Sequence, residues 1–127
     1  MEPPKSDVGA VIALAGRRID ASDADAAAFP LQAVPLVRKR LSNLFRREHA
    51  RALVSSAACG ADLIALEEAG NFNVRRRIVL PFAPDRFRTT SVTDRPGNWG
   101  PIFDCVIREA RAADDLVVLN LADGEDP

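Results

Sequence analysis

Tyrosine is absent from this 127-residue chain, and there is a single tryptophan. Surfaces that stack nucleic-acid bases on aromatic rings are therefore poorly supplied. The net charge is −1, so no overall electrostatic pull toward DNA, RNA or anionic lipid is expected. The two cysteines, Cys59 and Cys105, lie far apart with no CxxC pattern, which argues against a disulfide framework or a zinc site. One histidine, His49, leaves neither a metal-ligand cluster nor a Cys–His pair of any strength, and no metal is expected. No apolar run approaches the ~18 residues of a membrane span. The opening Met1-Glu2-Pro3-Pro4-Lys5-Ser6-Asp7 lacks a signal peptide's basic start and apolar centre, so a cytoplasmic location is expected.

What remains is a hydrophobic content of 47%, ordinary for one globular domain of this length. The richest stretch is Ser55-Ser56-Ala57-Ala58-Cys59-Gly60-Ala61-Asp62. The apolar Arg51-Ala52-Leu53-Val54 enters it and the helical pattern Leu63 to Ala69 leaves it, with Gly70 as the expected helix stop. Strand, small-residue turn, helix aims backbone N–H groups at an anion, and small side chains let a ligand approach the chain closely.

Elsewhere the pattern alternates. Gly9 to Ala15 is a continuous apolar run of the kind buried on both faces of a parallel sheet, and it ends at Gly16-Arg17-Arg18-Ile19-Asp20. Residues 21–33 read as a loop with a short helical turn. Val34, Val37, Leu41, Leu44 and Phe45 then recur at helical spacing, with Pro35 in the first turn and the basic residues on a solvated face. Ile78-Val79-Leu80 is a third strand, entered through Arg75-Arg76-Arg77. Residues 82–101 read as a long irregular segment that could close over a ligand, with Trp99 anchoring it by burial. Ile102, Phe103, Val106, Ile107 and Ala110 form a helical stripe before the fourth strand, Leu116 to Leu119.

Strands alternating with helices predict a Rossmann-like α/β domain: a three-layer sandwich around a mainly parallel sheet, strand order 3-2-1-4. That order puts a switch point between the first and fourth strands, where Gly16, Ser56, Gly60 and Asn120 converge. Amide hydrogens at the mouth of the second helix, beside Arg17 and Arg18, then form a positive niche.

Four short motifs in sequence resemble the SLOG superfamily, named for the Smf/DprA and LOG proteins. They are Leu14-Ala15-Gly16-Arg17-Arg18-Ile19-Asp20, then residues 55–67 with their Gly60-Ala61-Asp62, then Leu80-Pro81-Phe82, then Ala113-Asp114-Asp115-Leu116-Val117-Val118. The similarity spans residues 11–121 and implies a Rossmann-like domain that binds or senses a nucleotide-derived ligand of the ADP-ribose, NAD or nucleotide-sugar kind. By resemblance, Gly16 and Arg18 line the first loop, and Gly60, Ala61 and Asp62 cradle a phosphate or ribose; Arg17, Ser56, Ala57 and Asn120 complete the expected ligand-binding set. Asp62 then accepts from ribose hydroxyls or caps the helix. Arg17 stands where the family often carries histidine. The glycine-rich signature of the LOG phosphoribohydrolases is missing, so binding without turnover is the leading expectation. A small nucleotide hydrolase using Asp62 or Glu67, and a scaffold that has lost its ligand, stay open. The family usually continues beyond the fourth strand, which leaves a fragment, a degenerate member or one part of a fusion as alternatives. A homodimer or a fused effector domain is compatible with the resemblance.

Overall fold

The computed structural model describes residues 9–121. Its sheet contains β1 (Val11–Leu14), β2 (Ala52–Ser55), β3 (Arg75–Leu80) and β4 (Leu116–Val118), all parallel. The helices are α1 (Val34–Arg47), α2 (Ala61–Asn71), α3 (Pro84–Ser91) and α4 (Gly100–Ala112), with a 3-10 turn at Leu31–Ala33 ahead of α1. The α/β class and the parallel sheet are as expected from sequence.

Strand order is not. The sheet runs β1-β2-β3-β4, whereas 3-2-1-4 was expected. Parallel crossovers are right-handed, so a monotonic order sends every connection to the same face. Burial follows suit. Leu53, Ser55, Ile78 and Leu80 are buried on the helix side. On the other side Val11 is 52% exposed, Ala13 is exposed, and Val54, Val79 and Val117 are half-buried. Among the described residues the architecture therefore has two layers, a correction to the expected three-layer sandwich. A monotonic order also has no point where the winding reverses, so the switch-point crevice is missing.

The central helix is α2. It is buried almost all round, with Leu63, Ile64, Ala65, Leu66 and Ala69 in one core with Leu53, Ile78, Leu80, Phe103 and Val106. Burying each large apolar side chain contributes about 1.5–3 kcal/mol. Gly70 lies inside this helix and does not end it. The cap residue is Phe72, followed by Asn73 at φ +56°, the left-handed position that asparagine tolerates. Helix α1 lies against α2 through Leu41 and Phe45. The stretch expected to be irregular holds α3, whose Phe87 packs between Phe82 and Phe103 at centroid distances of 6.1 and 6.0 Å. Only residues 92–99 are non-helical between α3 and α4. Trp99 is buried as expected, its indole N–H donating to the Pro96 carbonyl at 2.7 Å.

A polar lock joins α1 to α2. Arg38 donates to Glu68 at 2.8 Å, and the Ser42 hydroxyl donates to the second Glu68 oxygen at 2.7 Å. Burial pushes the Glu68 carboxyl up, but these two hydrogen bonds outweigh it and hold the group below its usual range. A lowered folded pKa contributes stability above the unfolded pKa, and that contribution is lost as pH falls through the folded value. Glu68→Gln is therefore expected to lower stability at pH 7 by about 1–2 kcal/mol, with the difference from wild type shrinking below about pH 4. Urea unfolding at pH 7 and pH 3.5 checks it; an equal deficit at both values would count against the lock.

Candidate functional site

The turn from β2 into α2 is docked directly on the loop after β1. Gly60 takes φ +116° and ψ −134°, a conformation essentially reserved for glycine. Its backbone forms an isolated antiparallel bridge with Arg18. A Cβ at this position would lie 2.6 Å from the Arg17 carbonyl oxygen and 2.7 Å from the Ile19 nitrogen. Glycine is required here for close approach to the protein's own backbone.

This docking uses several of the amides that were expected to face a ligand. The Ala61 N–H donates to the Arg17 carbonyl at 3.1 Å, and the Cys59 N–H donates to the Ser91 carbonyl at 3.0 Å. Farther into α2, Leu63 and Ile64 donate to the Ala58 and Gly60 carbonyls. Much of the donor capacity and part of the helix field are thus engaged internally.

Asp62 is the pin of the assembly. It is 4% exposed, accepting from the Gly16 N–H at 2.9 Å through Oδ1 and from the Ser56 hydroxyl at 2.7 Å through Oδ2. The Ser55 hydroxyl lies beside the same carboxylate without a hydrogen bond of good geometry. Burial pushes the Asp62 carboxyl up; the Ser56 and Gly16 donors offset that only in part. A Cβ on Gly16 would come within 2.5 Å of the Ala61 Cβ, so this second glycine also serves close packing.

The two arginines of the loop differ. Arg17 is exposed, and its side chain has no partner among the described residues. Arg18 turns back over the α2 mouth, pairs with Asp94 and donates to the Cys59 sulfur at 3.5 Å, while its Nε is buried without an acceptor. Arg95 follows Asp94 and donates to the Ile19 carbonyl at 2.7 Å. Cys59 is fully buried. Burial pushes its thiol up, with Arg18 pulling the other way.

Gly16, Arg17, Arg18, Ser56, Ala57, Gly60, Ala61 and Asp62 are thus gathered at the β1–β2 end of the sheet's carboxyl edge. Asn120 is not among them. It follows β4 at the opposite edge, three strand spacings or ~14 Å across the sheet from β1. Glu67 is also elsewhere, paired with Arg38 at 2.8 Å on the side facing α1 and 40% exposed. Sequence reasoning missed Asp94, because a lone acid in a proline-containing loop gives no hint of a partner 76 residues earlier.

Three cavities lie near this region or beyond it. One of about 340 Å³ is lined by Asp20, Ala24, Pro30, Leu31 and Pro96, and so adjoins Ile19 and Arg95. A second of about 350 Å³ lies across Leu31, against Val34, Arg38 and Trp99. The third, about 410 Å³, lies between α3 and α4 around the Arg88–Asp104 pair. None of the three is lined by Gly16, Arg17, Ser56 or Ala57. Among the described residues there is no group of three or more His, Cys, Asp or Glu side chains able to hold a metal ion, and no helix long and apolar enough to cross a membrane.

Fold and site together define a two-layer parallel α/β domain with an arginine-bearing loop clamped to the start of its central helix. No protein-family model, curated protein or solved structure matches the chain.

Proposed function

We propose that the protein binds a nucleotide-derived anion, of the ADP-ribose, NAD or nucleotide-sugar kind, without turning it over. The observation that carries this reading is the exposed Arg17, without a partner among the described residues, on a loop whose backbone is tied to Gly60 and Asp62. An exposed guanidinium on a fixed loop suits phosphate recognition. The 340 Å³ cavity lined by Pro96 and by Asp20, three residues along the chain from Arg17, is of a size for a ribose or base, at the low end of ligand sites. Recognition in this reading comes from guanidinium groups. The Ala61, Leu63 and Ile64 amides take no part, since their hydrogens are already used.

Membership of the SLOG superfamily, a cytoplasmic location and pairing with a second copy or a fused effector belong to the same proposal. The four motifs support it, although the monotonic strand order departs from the Rossmann-like order that the resemblance implies. Turnover has less support. Asp62 is sealed under Gly16, and Glu67 faces α1, so neither reaches a ligand lying along Arg17.

A thermal-shift panel containing ADP-ribose, NAD and nucleotide sugars tests the reading. At a hundredfold excess over the dissociation constant, the bound ligand adds about 2.7 kcal/mol of stability. Arg17→Glu is expected to abolish the shift while leaving the unliganded melting temperature within a few degrees. A ligand that stabilises wild type and this variant equally would refute the site.

A further inference from the structure

The position of Asp94 carries a second step, which rests on the binding reading above. Its carboxylate lies between two guanidinium groups, with Oδ1 on Arg18 and Oδ2 3.9 Å from the Arg95 Nε. Arg18 and Asp94 are about a third or less exposed, at 27% and 33%, so the pair is open to solute. A carboxylate has two oxygens, and here the Arg18 Nε is left buried with no acceptor. A buried donor without a partner raises the free energy of the state that contains it. The pyrophosphate of a ligand such as ADP-ribose carries four non-bridging acceptor oxygens and two negative charges, so it can meet the Nε as well as the terminal nitrogen.

We infer that Asp94 occupies the place of a ligand's phosphoryl group on Arg18, and that the loop bearing it is an internal plug which the ligand displaces. The ends of the loop are pinned by Val92, fully buried, and by Trp99. Movement is therefore confined to residues 93–98, with Gly97 at φ +111° as the natural pivot. Displacement carries Arg95 away with the loop and frees Arg18 to act beside Arg17, and the two guanidinium groups then suit a pyrophosphate-bearing ligand better than a monophosphate. While the plug is in place, apparent affinity is reduced by the fraction of molecules with the loop open.

Calorimetric titration of ADP-ribose into wild type and Asp94→Asn tests this, together with amide hydrogen exchange over residues 93–98. The variant removes the competing charge at a solvent-reached pair, where the effect on folding is small. About tenfold tighter binding to the variant is expected, as is faster exchange of residues 93–98 in wild type when ADP-ribose is bound. Binding to the variant alone supports both the plug and the binding reading. Wild-type binding that depends on Arg17, with equal or weaker affinity in Asp94→Asn and unchanged exchange, overturns the plug and leaves the binding reading standing. Absence of ADP-ribose binding in both proteins overturns the plug as stated; if the whole nucleotide panel also fails, the binding reading falls with it. The exchange measurement on wild type decides the matter should the variant not fold.

Discussion

Gly60→Ala is expected to cost about 3–5 kcal/mol of stability, enough to lower the melting temperature by on the order of 10–20 °C. Two penalties add. The residue sits at φ +116°, where an L side chain is strained, and that costs about 1–3 kcal/mol. The new methyl would also meet backbone on three sides: Arg17 oxygen at 2.6 Å, Ile19 nitrogen at 2.7 Å and the Arg18 Cα at 2.9 Å. Backbone cannot rotate out of the way as a side chain can, so the loop after β1 must lift from α2. Gly70→Ala is the matched control. That glycine is helical, and the nearest group to its added Cβ is the movable Arg76 guanidinium at 3.0 Å. Alanine gains about 0.5–1 kcal/mol of helix propensity there, so the change is expected to be neutral or mildly stabilising. Urea denaturation of both variants separates the outcomes. Near-wild-type stability in Gly60→Ala would mean that the loop and helix are not docked as described. Gly60→Asp is consequently a poor probe of ligand binding, because it dismantles the loop whether or not a ligand binds there.

The second large effect is expected at Asp62. Alanine removes the acceptor for both the Gly16 N–H and the Ser56 hydroxyl, and the loss is expected to be about 2–4 kcal/mol. Asparagine is expected to cost far less, since its amide oxygen still accepts from Gly16 and its NH₂ can donate to Ser56, whose hydroxyl then accepts. The pH dependence has a definite sign. The folded carboxyl lies above its ordinary value because of burial, so the folded state holds this proton more tightly than the unfolded chain does. Its effect on stability is most favourable below the unfolded pKa of about 3.9 and declines as pH rises through the folded value. Relative to Asp62→Asn, wild type should therefore lose stability across that window as pH increases. Paired unfolding curves from pH 4 to pH 8 measure the difference. A gap that widens in favour of wild type with rising pH would contradict the buried, desolvated carboxylate.

Local features were well represented in the chain. Each strand holds a short apolar run, although β3 begins three residues before its own, at Arg75, and the small-residue turn at Ser56 to Gly60 marks a close contact in the fold. The short α3 was hidden because Phe87 is its only buried side chain, leaving no repeat from which to read a helix. The bare side of the sheet was hidden for a related reason. Val11 and Ala13 face outward yet are apolar, so β1 lacks the alternation that betrays a one-sided strand. Strand order has no local signature at all, because it depends on which way each crossover steps. The purpose of the small-residue turn is ambiguous from the same cause: small residues permit close approach, and nothing in their spacing says whether a ligand or the Arg17–Ile19 backbone is what approaches.

A sheet that adds its strands in chain order also has a simple assembly history. Every ladder joins sequence neighbours, so no strand need wait for a distant one to be threaded between two others, and loop-closure entropy is met in small instalments. The exceptions include the tie from Arg18 to Asp94 and that from Arg95 to the Ile19 carbonyl, each spanning 76 residues. They can form only after the β-α units between them are in place, which makes them a seal on the finished domain.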